Sequence, residues 1–437
     1  MYGKNGCSVR PLRRHLRNGA ENGESMRFLS DWKAKGKKFT EQKCYAIFCY
    51  AVLITAGIYL LGSLLTKGWL ADKIFFIHTG DFFMDFFNSI RDASLGLGSY
   101  TERHVIYPPM ANLIFVLFSK ITPDAYNATS FDDRMTWNSY GVNVALCVVF
   151  TVVCTLLFLL VSYCILDGSR KKKMIFAAVS VFSVPFLYMM ERGNIMVLAV
   201  IALLCYVFTY DSEKAWVREL GLLALAFSFS LKLYPIMFAW VLLADKRYKE
   251  FFRCAIYSVA LLILPTFAFG GPSCLLIIFE NIFGFSSGVS AKGALAVISE
   301  YSGIPQALVS GTAYGLFLLC GACFAVSAFL YREKRERWKI WILGCITFAA
   351  FPPLSSIYAW ILFLIPLALI FHQGFALGDI KGYFIPVIIP FLFIPIPLPH
   401  QLPANTVVMY VCLVFLEVYA ICDTVRNLVQ LRKKSAA

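Results

Sequence analysis

Residues 217–244 read VRELGLLALAFSFSLKLYPIMFAWVLLA, an apolar run set between two charged joints, DSEKAW (211–216) and DKRYKEFFR (245–253). Basic residues beside apolar spans mark the cytoplasmic side of a membrane. Both ends of the run therefore belong inside, and one straight helix cannot return to the side it left. Lys232 and Pro235 interrupt its middle. Proline removes a backbone donor and turns the preceding residue away from the α region. The pattern predicts two shorter helices meeting at KLYP (232–235) on the outer half, where irregular backbone is tolerated if it lines a watery cavity.

The rest of the chain has the same character. Of 437 residues, 59% are hydrophobic and 15% charged, whereas a soluble domain averages roughly 25% charged. Mean hydropathy is +0.69. Apolar runs recur from end to end, which makes this an all-α polytopic membrane protein. The formal charge of +14 comes from clusters at 10–17, 33–43, 170–173, 246–253, 332–339 and 426–434. These abut apolar spans, which favours cytoplasmic loops over nucleic-acid binding.

With those clusters inside, crossings fall near 45–65, 140–165, 174–190, 195–210, the two halves of 217–244, 254–270, 311–331, 340–352, 357–371, 382–398 and 406–425. That is about twelve crossings, within a range of roughly ten to thirteen. Residues 1–44 form a basic cytoplasmic segment without a signal-peptide layout, and Met26 is an alternative start. Residues 45–425 are the membrane domain, with outer loops at 66–139 and 271–310, and 426–437 are a basic cytoplasmic tail. Within the first loop, PPMANLIFVLFSKI (108–121) is too short to cross and reads as an amphipathic surface helix. The loop also carries a glycosylation sequon, Asn127-Ala-Thr129. Fourteen cysteines lie mostly in spans; Cys320 and Cys323 read as packing residues and Cys274 alone as outward-facing, which argues against an outer disulfide framework.

This topology was built from lysines and arginines, yet it sorts the other polar features onto one face. Asp81 and Asp85 in TGDFFMDFFNSI (79–90), YPP (107–109), ERGN (191–194), KLYP, PPLSS (352–356) and His400 all come out on the outer side. Singly, each reads as a turn or interface residue; together they mark a functional region, because ionisable groups at membrane depth are costly. Asp81 and Asp85 would share a face if 80–92 is helical. Close like charges in apolar surroundings raise each other's proton affinity. Such a pair suits a general base, or a divalent cation (Mg or Mn) held by two carboxylates. The plainer reading is an interfacial helix with Phe82, Phe83, Phe86 and Phe87 in lipid and the acids in water. No GxxxxGK[ST], GxGxxG after a strand, HExxH or GxSxG is present, and five histidines without paired spacing argue against zinc.

The order of these motifs resembles glycosyltransferase family 87, a branch of the C-type (GT-C) integral-membrane glycosyltransferases. The resemblance rests on an aspartate after the first span, YPP before a short helix, RGN (192–194) at a joint and KLYP splitting a helix pair, over about 45–375. It implies a hexosyltransferase, α-mannosyltransferase-like, that moves a sugar from a polyprenyl-phosphate donor to a lipid-linked or glycan acceptor. Transfer would invert the anomeric centre, on the non-cytoplasmic face of a bacterial plasma membrane with both termini inside. The family's Asp-Phe-x-x-(Tyr) pattern falls on Asp81 as base, with Asp85 where an aromatic is commoner. Arg192 and Lys232 carry over as contacts of the donor phosphate, and Tyr107 and Tyr234 as pocket-lining groups, with Glu191 and Asn194 beside them. Ser355, Ser356 and Tyr358 match a late outer joint less closely; Lys292 and His400 are further outer-face candidates. A transporter or flippase with Lys232 and Arg192 in the substrate path is the competing reading, since broken helices also mark transport sites. A non-enzymatic scaffold would leave Lys232 unexplained.

Overall fold

The computed structural model describes residues 45–70, 83–121, 141–166, 168–284, 291–333, 336–350, 357–373, 392–393 and 404–436. Among them every regular element is helical. Helix α1 (Tyr45–Leu65) precedes three short helices, α2 (Met84–Ser94), α3 (Gly98–Thr101) and α4 (Pro109–Ser119). Then come α5 (Gly141–Ile165), α6 (Arg170–Val181), α7 (Val184–Arg192), α8 (Met196–Thr209) and α9 (Ala215–Leu231). The second half holds α10 (Trp240–Ala244), α11 (Tyr248–Ile263), α12 (Cys274–Gly284), α13 (Ala291–Ser302) and α14 (Gln306–Leu330). It closes with α15 (Arg337–Gly344), α16 (Leu364–Gln373) and α17 (Ala404–Ala436). Tighter 3₁₀ turns lead into α10 (Tyr234–Ala239) and α16 (Ile357–Phe363) and extend α11 (Leu264–Phe269), while a π turn (Cys345–Ala350) extends α15.

By length and composition, α1, α5, α11 with its extension, and α14 can each cross a membrane, and α6 with α7, bent by 54°, forms a fifth span if counted as one. Leu60, Leu65, Val149, Leu160 and Leu318 stand exposed on α1, α5 and α14, as side chains facing lipid do. The segments expected near 195–210, 217–244 and 357–371 are apolar but shorter helices, below the ~20 residues a lone span needs. Most of the segment expected at 382–398 and the sequon at 127–129 lie outside the described residues. Helix α17 continues unbroken to Ala436, through the stretch read as a basic tail. Residues 271–310 hold α12 and α13, and Cys274 is buried against Tyr100 and Phe269.

The break in 217–244 is where the sequence puts it. Helix α9 ends at Leu231, and Lys232 is extended at φ −146°, ψ 125°. Pro235 then starts the 3₁₀ turn, a position where its missing N–H costs nothing. Neighbours anchor the two halves: Ser228 Oγ donates to Ala199 O at 2.7 Å, and Tyr206 OH reaches Phe238 O at 3.3 Å. Helix α9 lies against α8 and α11. The close α8–α9 approach requires Gly221, since a Cβ there would sit 2.4 Å from Thr209 Oγ1.

The charged joints meet at the start of α9. Arg247 Nη1 donates to Tyr210 O at 2.6 Å, and Asp245 pairs with buried Arg337. Beside them Lys339 Nζ lies 2.9 Å from Asp423, which also receives Arg426 at 2.6 Å and the Tyr331 hydroxyl at 2.9 Å. Desolvation still pushes the Asp245 carboxyl above its ordinary value, with Arg337 and Arg247 pulling it back down. Seventeen residues of α9 put about 25 Å between this cluster and Lys232 at the other end.

Candidate active site

Helix α2 is held by its phenylalanines. Phe86 and Phe87 are fully buried, and Phe86 meets Phe115, Phe118 and Phe150 at 6.0, 5.3 and 5.1 Å. The pairs with Phe115 and Phe118 are edge-to-face, a geometry that adds about 0.5–1.5 kcal/mol each beyond area burial. The Phe86 and Phe87 rings therefore lie in the protein core, not in lipid, and they turn the neighbouring acid inward. The described helix begins at Met84, after a left-handed Phe83 at φ 56°. Asp81 itself lies outside the described residues.

The end of α7 receives α2. Phe83 N–H donates to Glu191 O at 3.0 Å, so Glu191 contributes to this joint through its backbone. Gly193 caps α7 at φ 61°, and a Cβ on it would stand 2.7 Å from Phe86 Cβ. Only glycine satisfies both the left-handed backbone and the contact. The turn places Arg192 and Asn194 on Asp85. Arg192 reaches Asp85 Oδ1 through Nε at 3.1 Å and Nη2 at 2.6 Å, and Asn194 Nδ2 donates to Oδ2 at 2.6 Å. Asn194 Oδ1 accepts Met196 N–H at 2.9 Å at the start of α8, which fixes its Nδ2 toward Asp85 and the Tyr107 hydroxyl, 3.0 Å away.

Tyr107 connects this network to the broken helix. Its ring lies 4.2 Å from Lys232 Nζ, with the Tyr358 ring 5.7 Å away on another element. Desolvation, with the Asp85 charge adding to it, holds the Tyr107 phenol well above its ordinary pKa, so it stays a neutral donor. Asp85 is the carboxylate whose field reaches Lys232. Yet among the described residues no carboxylate, carbonyl or hydroxyl lies within hydrogen-bonding distance of the ammonium. Tyr234 sits close by, its hydroxyl against Met196 Sδ at 2.8 Å.

Tyr107, Arg192, Asn194, Lys232 and Tyr358, distant in sequence, thus gather around Asp85, while the model of glycosyltransferase family 87 matches residues 105–370, 61% of the chain. The chain belongs to glycosyltransferase family 87. It is a membrane glycosyltransferase, taking a sugar donor and an acceptor. The match begins after α2 rather than near residue 45, so it covers Tyr107, Arg192, Asn194, Lys232 and Tyr358 but neither aspartate. No curated protein and no solved structure matches the chain.

Four further expected residues have no described side chain. Ser355, Ser356 and His400 lie outside the described residues, and Lys292 lies on α13, whose first side chains are not described. Conversely, Tyr188 stacks on Tyr358 at 6.2 Å with 15° between the ring planes. Sequence reading missed it, although its place one helical turn before Arg192 was a usable signal. Among the described residues no group of three or more His, Cys, Asp or Glu gathers. A cation on Asp85 would have to displace Arg192 and Asn194 from both of its oxygens.

Proposed function

We propose that this family 87 enzyme transfers a hexose such as mannose from a polyprenyl-phosphate donor to a lipid-linked or glycan acceptor on the non-cytoplasmic face. The observation that carries this reading is Lys232, an ammonium with no hydrogen-bonded anion among the described residues, next to the Asp85–Arg192–Asn194 network. A lone ammonium in an aromatic pocket is a ready partner for a phosphate. The GT-C bundle would count about twelve crossings, with short helices such as α9 and α10 pairing at broken joints. The plasma membrane of a bacterium, with both termini inside, is its expected place.

In the proposed step an acceptor hydroxyl attacks the anomeric carbon and Asp81 takes its proton. The bond from that carbon to the phosphate oxygen breaks, and its electron pair leaves on the phosphate, with inversion. Lys232 and Arg192 stabilise the charge that develops there, an effect strongest where water is excluded. Asp85 holds Arg192 and Asn194 in position, since both of its oxygens already accept from them. Tyr107 and Tyr234 line the donor pocket, with Glu191 in its wall.

The test is transfer by purified protein in lipid vesicles, supplied with polyprenyl-phosphate sugars and candidate acceptors. Asp81→Asn should abolish turnover while Asp85→Asn weakens it, and full transfer by Asp81→Asn would reject the base assignment. Chelation by EDTA should leave the rate unchanged; loss restored by Mg or Mn would favour a metal at the two aspartates. A cysteine at position 80 labelled only from the cytoplasm would overturn the assignment of sides. Release of donor lipid to the opposite leaflet without glycosidic product would favour the transporter reading.

A further inference from the structure

Lys232 meets the donor phosphate in the reading above, and the present step rests on that reading. Two ring faces lie beside Lys232, Tyr107 at 4.2 Å and Tyr358 at 5.7 Å. Tyr188 backs Tyr358 in a near-parallel stack. An aromatic face attracts a cation through its quadrupole but brings no charge that would cancel it. A carboxylate in the same place would hold the ammonium and neutralise it, as Asp423 does for Lys339.

We propose that Tyr107 and Tyr358, with Tyr188 behind, form an aromatic seat that positions Lys232 while leaving its charge and N–H donors to the substrate phosphate. These are positioning residues: they act through Lys232, and they make the site select phosphate-bearing prenyl lipids over neutral ones. Three separate segments supply the rings, the loop before α4, the turn at Ile357–Phe363 and α7. Tyr107 is held from its other end as well, since its hydroxyl accepts from Asn194 at 3.0 Å. The ring beneath Lys232 is therefore tied to the same network that orients Arg192. Donor binding at Lys232 and the setting of Asp85 are linked through one side chain.

The probes are farnesyl phosphate and farnesol, with binding measured to purified full-length protein in lipid nanodiscs. Tyr358→Leu and Tyr107→Leu should each weaken farnesyl phosphate about tenfold and leave farnesol binding as it was. Phenylalanine at either position, which keeps the ring, should restore most of the affinity. In a Lys232→Met background the leucine substitutions should cost nothing more, because the seat then has nothing to hold. Equal weakening of farnesol and farnesyl phosphate, or phenylalanine as damaging as leucine, would overturn the seat. Should Lys232→Met weaken farnesyl phosphate while the leucine variants do not, the seat falls alone. Unchanged phosphate binding in Lys232→Met would instead reject the role given to Lys232. Thermal unfolding reports whether each variant is folded, and Tyr188→Leu decides if Tyr358→Leu is not.

Discussion

Two lysines in this protein each lie over a tyrosine ring, and their other neighbours set them apart. Lys339 stands 4.9 Å from the Tyr331 ring and 2.9 Å from Asp423, whose side chain is almost fully buried. Lys232 stands 4.2 Å from the Tyr107 ring, and among the described residues no anion lies within hydrogen-bonding distance of it. At Lys339 the charges are satisfied inside the protein, so the cluster fastens α14, α15 and α17 together. At Lys232 the described residues supply a cation and no ion pair for it. Closed clusters hold helices, and open ones wait for a ligand.

The contrast can be broken by experiment. Lys232→Met should lower transfer about a hundredfold to a thousandfold, the usual effect of removing one group that stabilises a developing anion. Thermal unfolding should barely change, and a rate near that of the wild type would erase the distinction. Lys339→Met should do the reverse. Stripping a buried carboxylate of one cation costs about 3 kcal/mol, read as a lower unfolding midpoint in detergent, with turnover per folded molecule retained. Gly193→Ala falls between the two clusters. A Cβ forced against Phe86 at positive φ should cost about 2 kcal/mol and reduce activity as well, because Phe86 sits next to Asp85. The smallest effect is expected for Tyr331→Phe, which loses the hydroxyl on Asp423 at about 1 kcal/mol. Unchanged stability there would show that Lys339 and Arg426 suffice.

Much of this was legible in the residues. The break at Lys232 followed from charged joints on both sides and a proline between them, and the motifs YPP, RGN and KLYP pointed to one family before any geometry. Helical start and stop signals are local, so the ends of α1, α5 and α9 could be placed to within a few residues. Other features were not legible. Which phenylalanines of TGDFFMDFFNSI face lipid is not written in a stretch that is apolar on every side; Phe86 is buried where α4 and α5 supply rings to meet it, and Phe87 packs against Phe86. Tyr188 looked like any tyrosine in an apolar helix until Tyr358, 170 positions later in the chain, lay across it.

The sequence alone determined the membrane class, the family and the residue types at the site, because hydropathy, charge placement and short motifs are properties of consecutive residues. Tertiary structure decided which of those residues are partners. Asp85 pairs with Arg192 across 107 positions, and among the described residues Lys232 has no such ion pair, because helix packing brings the carboxylate within reach of the guanidinium and sets tyrosine rings beside the ammonium.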